Sequence, residues 1–259
     1  MNIVLASTAL AIIAVSSFNA GASVVFGSAS ANLAATASFD IVGGKLEMVL
    51  SNTSTADTLV PSDVLTGVFF NLAGNPALTR LSAVANGPTY RRTTFVSGAG
   101  TVLGGEWGYR NGLTQYAANS GISSTGLGLF GPHDLFPGPN LADSSSPGGM
   151  SYGIASAGDI LSTGYGGLLS NELTHNSVTF VLGGLAPRFS LSDIGHVTFQ
   201  YGTSLSEPHV ASNSVSVADS GGIARHSVPE PASLGLASLG LAMLSLRRRR
   251  RKGNADSTV

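Results

Sequence analysis

Short segments in which apolar and polar residues alternate constrain this chain more than any other feature. In residues 45–51, Leu46, Met48 and Leu50 fall on one face, and Lys45, Glu47 and Ser51 fall on the other. A period of two places the apolar residues on one face of a β-strand. No segment alternates strands with long amphipathic helices, which disfavours a parallel α/β sheet. We therefore predict an all-β body, an antiparallel β-sandwich or jelly roll. The other predicted apolar faces are Val64, Val68, Phe70 and Leu72; Val178, Phe180 and Leu182; Val197, Phe199 and Tyr201; and Val215 with Val217 in a last short strand.

The composition supports many short strands joined by tight turns. Charged residues make up 10% of the chain and glycine occurs 34 times, whereas roughly 25% charged residues are usual for a soluble globular protein. Glycine pairs follow apolar segments at Gly43-Gly44, Gly104-Gly105 and Gly183-Gly184, and each pair predicts a turn. The absence of cysteine excludes disulfides, thiolate metal sites and cysteine nucleophiles.

Charge is segregated along the chain. Six of the 13 basic residues lie at 247–252, which leaves a body with seven basic and twelve acidic residues and a net charge of about −5. An acidic body disfavours nucleic-acid binding. Because the basic run directly follows an apolar segment, it indicates a membrane stop rather than a nucleic-acid patch.

The N-terminus is typical of an export signal. Residues 3–15 are apolar except for Ser7 and Thr8, a length that suits the hydrophobic region of a signal peptide. Ala20-Gly21-Ala22 provides the small residues that signal peptidase requires, so we predict a signal peptide at 1–22. No Lys or Arg precedes the apolar stretch, and a buried first strand is the alternative interpretation.

The C-terminal 31 residues contain three different parts in order. Pro229-Glu230-Pro231 is followed by fifteen uncharged residues, 232–246, and then by Arg247, Arg248, Arg249, Arg250, Arg251 and Lys252. Fifteen helical residues rise about 22 Å, against a hydrocarbon core of roughly 30 Å. We therefore predict a single hydrophobic helix that inserts into the inner membrane transiently, with the arginines on the cytoplasmic side. A buried core helix is the alternative.

In this arrangement residues 228–252 resemble the PEP-CTERM sorting signal of bacterial surface proteins. The resemblance implies recognition of Pro229, Glu230 and Pro231 by an exosortase, a membrane protease or transpeptidase, and cleavage nearby. It implies a stop at Arg247–Arg251 and a cytoplasmic tail at 253–259. The segments 46–53, 64–70 and 199–203 are also similar to ectodomains of some exosortase-dependent proteins, a likeness that implies no activity. Such proteins are associated with exopolysaccharide-producing Gram-negative bacteria.

Between the two signals we expect one ectodomain at 23–205 and a Ser-rich linker at 206–227. The region 121–167 is rich in Gly, Pro and Ser, and a loop of that length in a compact domain is usually functional or mobile.

Two motifs in this region suggest catalysis or nucleotide binding. Gly149-Met150-Ser151-Tyr152-Gly153 matches the G-x-S-x-G nucleophile elbow, and Asp193 and His196 follow in the order of a hydrolase triad. The elbow requires a preceding strand, however, and Ser-Pro-Gly-Gly stands there. The segment 126–131 matches G-x-G-x-x-G, but a dinucleotide site requires a helix at its last glycine, where Pro132 follows. Both matches are expected by chance in so glycine-rich a chain, so we predict no catalytic residues and no cofactor.

No metal site is predicted. The histidines at 133, 175, 196, 209 and 226 are scattered, and Asp134, Asp143 and Asp159 lack the dense spacing of a preformed calcium loop. Trp107 and Tyr109 share a face, which suits either sugar stacking or, more often, core packing.

We therefore expect an exported, noncatalytic protein of the cell surface or extracellular matrix. Its partners would be the signal peptidase and export machinery, an exosortase, and an exopolysaccharide. The alternative is a secreted hydrolase that acts on matrix polymers or esters and uses either Ser151 or carboxylates that no motif identifies.

Overall fold

The computed structural model describes residues 22–143, 146–163, 168 and 170–219. Apart from Ala22, the predicted signal peptide and the whole predicted sorting signal with its helix lie outside the described residues. The described 3₁₀ helices are three residues long: Pro61–Asp63, Gly104–Glu106, Gln115–Ala117, Pro132–Asp134, Leu161–Thr163 and Leu191–Asp193. The strands are β1 (Ala22–Ser30), β2 (Leu33–Val42), β3 (Lys45–Asn52), β4 (Leu65–Leu72), β5 (Thr79–Ala85), β6 (Thr89–Arg91), β7 (Thr94–Ser97), β8 (Gly108–Asn111), β9 (Ser120–Ser123), β10 (Ile154–Ala155), β11 (Glu172–His175), β12 (Ser177–Gly183), β13 (Ile194–Tyr201), β14 (His209–Ala211) and β15 (Ser214–Asp219).

These strands form two sheets, which confirms the all-β prediction. The six-stranded sheet has the order β15-β1-β2-β3-β12-β5, and the nine-stranded sheet has the order β14-β13-β4-β10-β11-β6-β7, with β9 on β4 and β8 on β9. The prediction of a purely antiparallel body needs one correction, because β10 and β11 pair in parallel. The two-residue strand β10 lies between β4 and β11. It runs antiparallel to β4 and parallel to β11.

The β2–β3 hairpin shows how local sequence sets strand register. Gly43 and Gly44 form its two-residue loop with φ of 56° and 74°. Positive φ at both positions is the signature of the type I′ turn, whose twist matches that of the strands, and glycine adopts it without strain. The turn predicted at this glycine pair is confirmed.

The core lies between the two sheets. Phe39 of β2 packs edge-on against Phe70 of β4, with ring centroids 5.4 Å apart. The predicted apolar faces of β3 and β12 are confirmed, because their residues are almost fully buried in this core: Leu46, Met48, Leu50, Val178, Phe180 and Leu182.

Strand β4 departs from the predicted one-sided pattern. Val68, Phe70 and Leu72 face the core as expected, but Phe69 on the opposite face is also fully buried. Phe130 covers it, with ring centroids 6.1 Å apart. Val64 was wrongly assigned to this face: it precedes β4 and belongs to a separate cluster. The strand is buried on both faces because part of the 121–167 region packs over the nine-stranded sheet.

The body extends further than the predicted boundary at residue 205. Residues 206–219, expected to begin a linker, contain β14 and β15 instead. The last strand suggested by Val215 and Val217 is confirmed as β15, which pairs antiparallel with β1 from Ala22–Asp219 to Gly27–Ser214. The rest of the predicted linker, 220–227, lies outside the described residues.

Candidate functional sites

The hydrolase alternative requires Ser151 beside Asp193 and His196, and the fold does not bring Ser151 to them. Ser151 lies in a turn that precedes β10, whereas a nucleophile elbow follows a strand, and its Oγ lies 3.3 Å from Oδ1 of Asn171. Asp193 accepts a hydrogen bond from Ser190 N at 2.9 Å and so caps its own 3₁₀ helix. His196 is exposed at a bulge of β13, with φ of 48°.

The sheet register separates these residues. Ile154, just after Ser151, pairs with Leu65 of β4, whereas Gly195, just before His196, pairs with Asn71. Six strand residues correspond to about 20 Å. The fold thus keeps the serine and the histidine at different positions along β4.

The glycine motif at 126–131 forms a turn. The Gly126 carbonyl accepts hydrogen bonds from Leu129 N and Phe130 N, each at 2.8 Å. The helix that follows is the three-residue Pro132–Asp134, too short to supply the helix N-terminus that binds a pyrophosphate.

Trp107 and Tyr109 are core residues. Trp107 is fully buried and Tyr109 is 2% exposed. The Trp107 indole donates from Nε1 to the Tyr152 carbonyl at 3.2 Å and packs against Phe180 with ring centroids 5.0 Å apart. Core packing is confirmed here, and neither ring offers a face to a sugar.

The three aspartates considered as calcium ligands do not form one group. Asp134 accepts from Gly131 N at 2.9 Å. Asp159, whose side chain is fully buried, accepts from Thr58 N at 3.1 Å and lies 3.3 Å from Nε2 of His175. Asp143 occupies a backbone conformation with φ of 51°. Among the described residues, no three His, Cys, Asp or Glu side chains are grouped to hold a metal.

A buried carboxylate that the sequence did not single out anchors a long loop. Glu106 is 3% exposed. Its Oε1 accepts hydrogen bonds from the Leu141 and Ala142 amides, and its Oε2 accepts from Ser146 Oγ at 3.1 Å. No motif or alternation marks this residue, because its donors come from a loop 35 to 40 positions away.

The loop also lies directly against the backbone beside Glu106. The glycine pair Gly104-Gly105, predicted as a turn, is a buried part of a 3₁₀ helix. A Cβ at either glycine would lie 1.9 Å from a carbonyl oxygen, that of Pro137 or of Pro139. Glycine is therefore needed here for close backbone approach.

Tyr152 lies near two buried carboxylates. The side chain of Glu172, which is 5% exposed overall, forms an ion pair with Arg91. Burial, with further contributions from the charges of Glu172 and Glu106, raises the pKa of Tyr152 to about 12. Tyr152 thus stays neutral at physiological pH. The carboxylates are held by internal donors, so this centre serves to fix the loop and strands around it.

An apolar groove lies where β15, β1 and β2 meet the segment 189–192. It has a volume of about 520 Å³. Val215 and Val217 of β15 are 61% and 71% exposed. The groove is lined by Ala22, Val24, Asp40, Ile41, Phe189, Ser190, Leu191, Ser192 and Val217.

The predicted sorting residues Pro229, Glu230, Pro231 and Arg247–Arg251 follow β15 in sequence but lie outside the described residues. In the part of the chain that is described, no helix is long and apolar enough to cross a membrane. No curated protein and no solved structure matches the chain significantly. The family model for the PEP-CTERM protein-sorting motif matches residues 227–251. This match confirms the resemblance found at the C-terminus and supports export toward the cell surface with processing by an exosortase. The chain therefore carries a PEP-CTERM protein-sorting motif.

Proposed function

We propose that the β body is a noncatalytic module of the cell surface or extracellular matrix, released there when an exosortase cleaves near Pro229-Glu230-Pro231. The N-terminal signal peptide would be removed after Ala22, and the C-terminal helix would hold the precursor in the inner membrane until cleavage. Contact with an exopolysaccharide is part of this proposal.

The position of the sorting motif carries the proposal. The last described strand, β15, ends at Asp219, and the motif at 227–251 begins after it. Cleavage beside the motif would therefore leave every described strand in place.

The hydrogen bonds and ion pairs that polar side chains make within the body support a noncatalytic role. Ser151 lies apart from Asp193 and His196 along β4, and Asp193 caps its own 3₁₀ helix. Glu106 and Glu172 are occupied by loop amides and by Arg91. A structural role accounts for Asp193, Glu106 and Glu172.

The test uses protein secreted by a host that contains an exosortase. Mass spectrometry of the mature protein is expected to give an N-terminus at Ser23 and a C-terminus near residue 229, together with the mass of any attached glycan. An intact C-terminal peptide would show that the tail is an anchor. The same protein and its Ser151→Ala variant are assayed on esters and glycans. An activity that the substitution abolishes would establish the hydrolase alternative and overturn the noncatalytic assignment.

A further inference from the structure

Among the described residues, strand β15 is paired along one edge. It is the terminal strand of the six-stranded sheet, and the one described strand that pairs with it is β1. An edge strand presents a row of free N–H and C=O groups to which another strand can add, and proteins usually block it with charges or proline. Residues 214–218 are Ser-Val-Ser-Val-Ala, with neither, and the only charge of the strand is Asp219 at its end.

The apolar side chains of β15 continue the inner face of the sheet. Val215 lies opposite Phe26 and Val217 lies opposite Val24. Directly opposed residues share a face of the sheet, and Phe26 and Val24 are only 6% and 7% exposed. Val215 and Val217, by contrast, are 61% and 71% exposed. The core face thus extends beyond what the described part of the nine-stranded sheet covers.

We propose that the other edge of β15 pairs with the same edge of a second copy of the chain. The two strands run antiparallel about a two-fold axis at Ser216, so that Val215 faces the partner's Val217 and the reverse. The six-stranded sheets then join into one continuous sheet. This proposal does not depend on the function proposed above.

The strand sequence is complementary to itself in this register. An axis at Ser216 pairs both valines with valines, whereas an axis at Val215 or Val217 pairs only one valine with its own copy. Backbone groups that point outward alternate along the strand. A two-fold axis through a residue pairs odd-numbered positions with odd-numbered ones and even-numbered positions with even-numbered ones. The residues whose N–H and C=O groups point away from β1 therefore meet each other, whether they are the odd or the even set. In this register position 219 pairs with the partner's position 213, so the one acidic position of the strand does not pair with its own copy.

A dilution series tests whether the edge associates. Mature protein from the exporting host, examined by sedimentation velocity and light scattering, is expected to form a dimer that dissociates on dilution. Val217→Lys is expected to lower the dimer fraction at least tenfold at equal concentration, because it places a charge against the partner's Val215. Val96→Lys is the matched control: Val96 is 42% exposed on β7, the edge of the other sheet, and its substitution should leave dimerisation unchanged. Circular dichroism verifies that both variants remain folded. A wild-type monomer at the highest concentration, or equal dimerisation of both variants, would overturn the proposal.

Cysteine cross-linking tests the register. The native chain contains no cysteine, so Ser216→Cys creates a single thiol that faces its own copy within the distance a disulfide spans. This variant is expected to cross-link quantitatively on oxidation. Ser214→Cys is the control, because the two Ser214 positions would lie about 13 Å apart in this register and should not cross-link. Equal cross-linking at both positions would overturn the two-fold pairing. A lipid surface is the other possible occupant of the edge. If wild-type protein does not dimerise but sediments with phosphatidylcholine vesicles, and Val217→Lys does not, the edge binds lipid and the dimer proposal is wrong.

Discussion

Ala22 and Asp219 lie directly opposite each other at the end of the β1–β15 ladder. The first and last described residues therefore leave the body at the same edge of the six-stranded sheet. Ala22 is also the residue after which we predict signal peptidase to cut. Removal of the predicted signal peptide would leave Ser23–Ala218 as the outermost pair of this ladder. Processing at both ends thus leaves the pairing of β1 with β15 in place from Ser23–Ala218 onward.

The first prediction concerns the sorting motif. Each proline fixes φ and lacks an N–H, so Pro229-Glu230-Pro231 resists incorporation into the following helix and stays extended for a protease groove. Replacing both prolines by alanine, or Glu230→Ala, is expected to leave full-length precursor in the membrane fraction. Immunoblotting of fractionated cells that contain an exosortase measures this. Glu207→Ala, an acidic residue in the body, is the control that should be processed normally.

The basic run is tested by deletion. Without residues 247–252 the apolar segment loses its cytoplasmic stop, so we expect a misplaced or slipped tail and reduced processing. Normal cleavage of this deletion would contradict the role assigned to Arg247–Arg251.

Glu106 is predicted to control the stability of the loop that contains Leu141, Ala142 and Ser146. Glu106→Ala leaves two backbone amides and the Ser146 hydroxyl without their acceptor, and we expect the free energy of unfolding to fall by about 3 kcal/mol. Glu106→Gln retains one acceptor oxygen and should cost less. Urea unfolding measures both, with Glu47→Ala on the half-exposed face of β3 as control. An equal loss in Glu47→Ala would refute the special role of Glu106.

Gly104 is predicted to tolerate no side chain. A Cβ there would lie 1.9 Å from the Pro137 carbonyl oxygen, whereas a Cβ at Gly98 would meet nothing within 4 Å. We expect Gly104→Ala to destabilise the protein by about 2 kcal/mol or more and Gly98→Ala to change its stability by less than about 0.5 kcal/mol. Thermal unfolding of the two variants provides the comparison. Similar melting temperatures would show that the loop does not lie against Gly104.

Stability is predicted to fall at alkaline pH through Tyr152. Its pKa of about 12 in the folded protein lies above the value near 10 of an exposed tyrosine. Above pH 10 the unfolded state therefore loses this proton first, and the free energy of unfolding falls as the pH rises from 10 through 12. Below pH 10 this contribution is fully present. Urea unfolding between pH 8 and 12 measures the slope, which Tyr152→Phe should reduce. An unchanged slope in that variant would contradict the assignment.

The strand faces at β3 and β12 and the type I′ turn at Gly43-Gly44 were predictable, because each depends on residues adjacent in sequence. Alternation of Leu46, Met48 and Leu50 can bury one face only in a strand. The sorting motif was predictable for the same reason, since its three parts follow one another within about 25 residues.

The sequence by itself thus determined the fold class, the main core residues and the sorting tail. Tertiary structure alone decided which residues would share a site. The contacting residues are 35 to 197 positions apart in the chain or lie on segments without periodicity. Examples are Glu106 with its amide donors, Phe69 with Phe130, and Ala22 with Asp219. It also separated Ser151 from His196, which match a catalytic pattern in sequence. The physical reason is that the alternation of apolar residues along a strand shows which face is buried. The residues that pack against that face depend on how the two sheets and the long loop pack together.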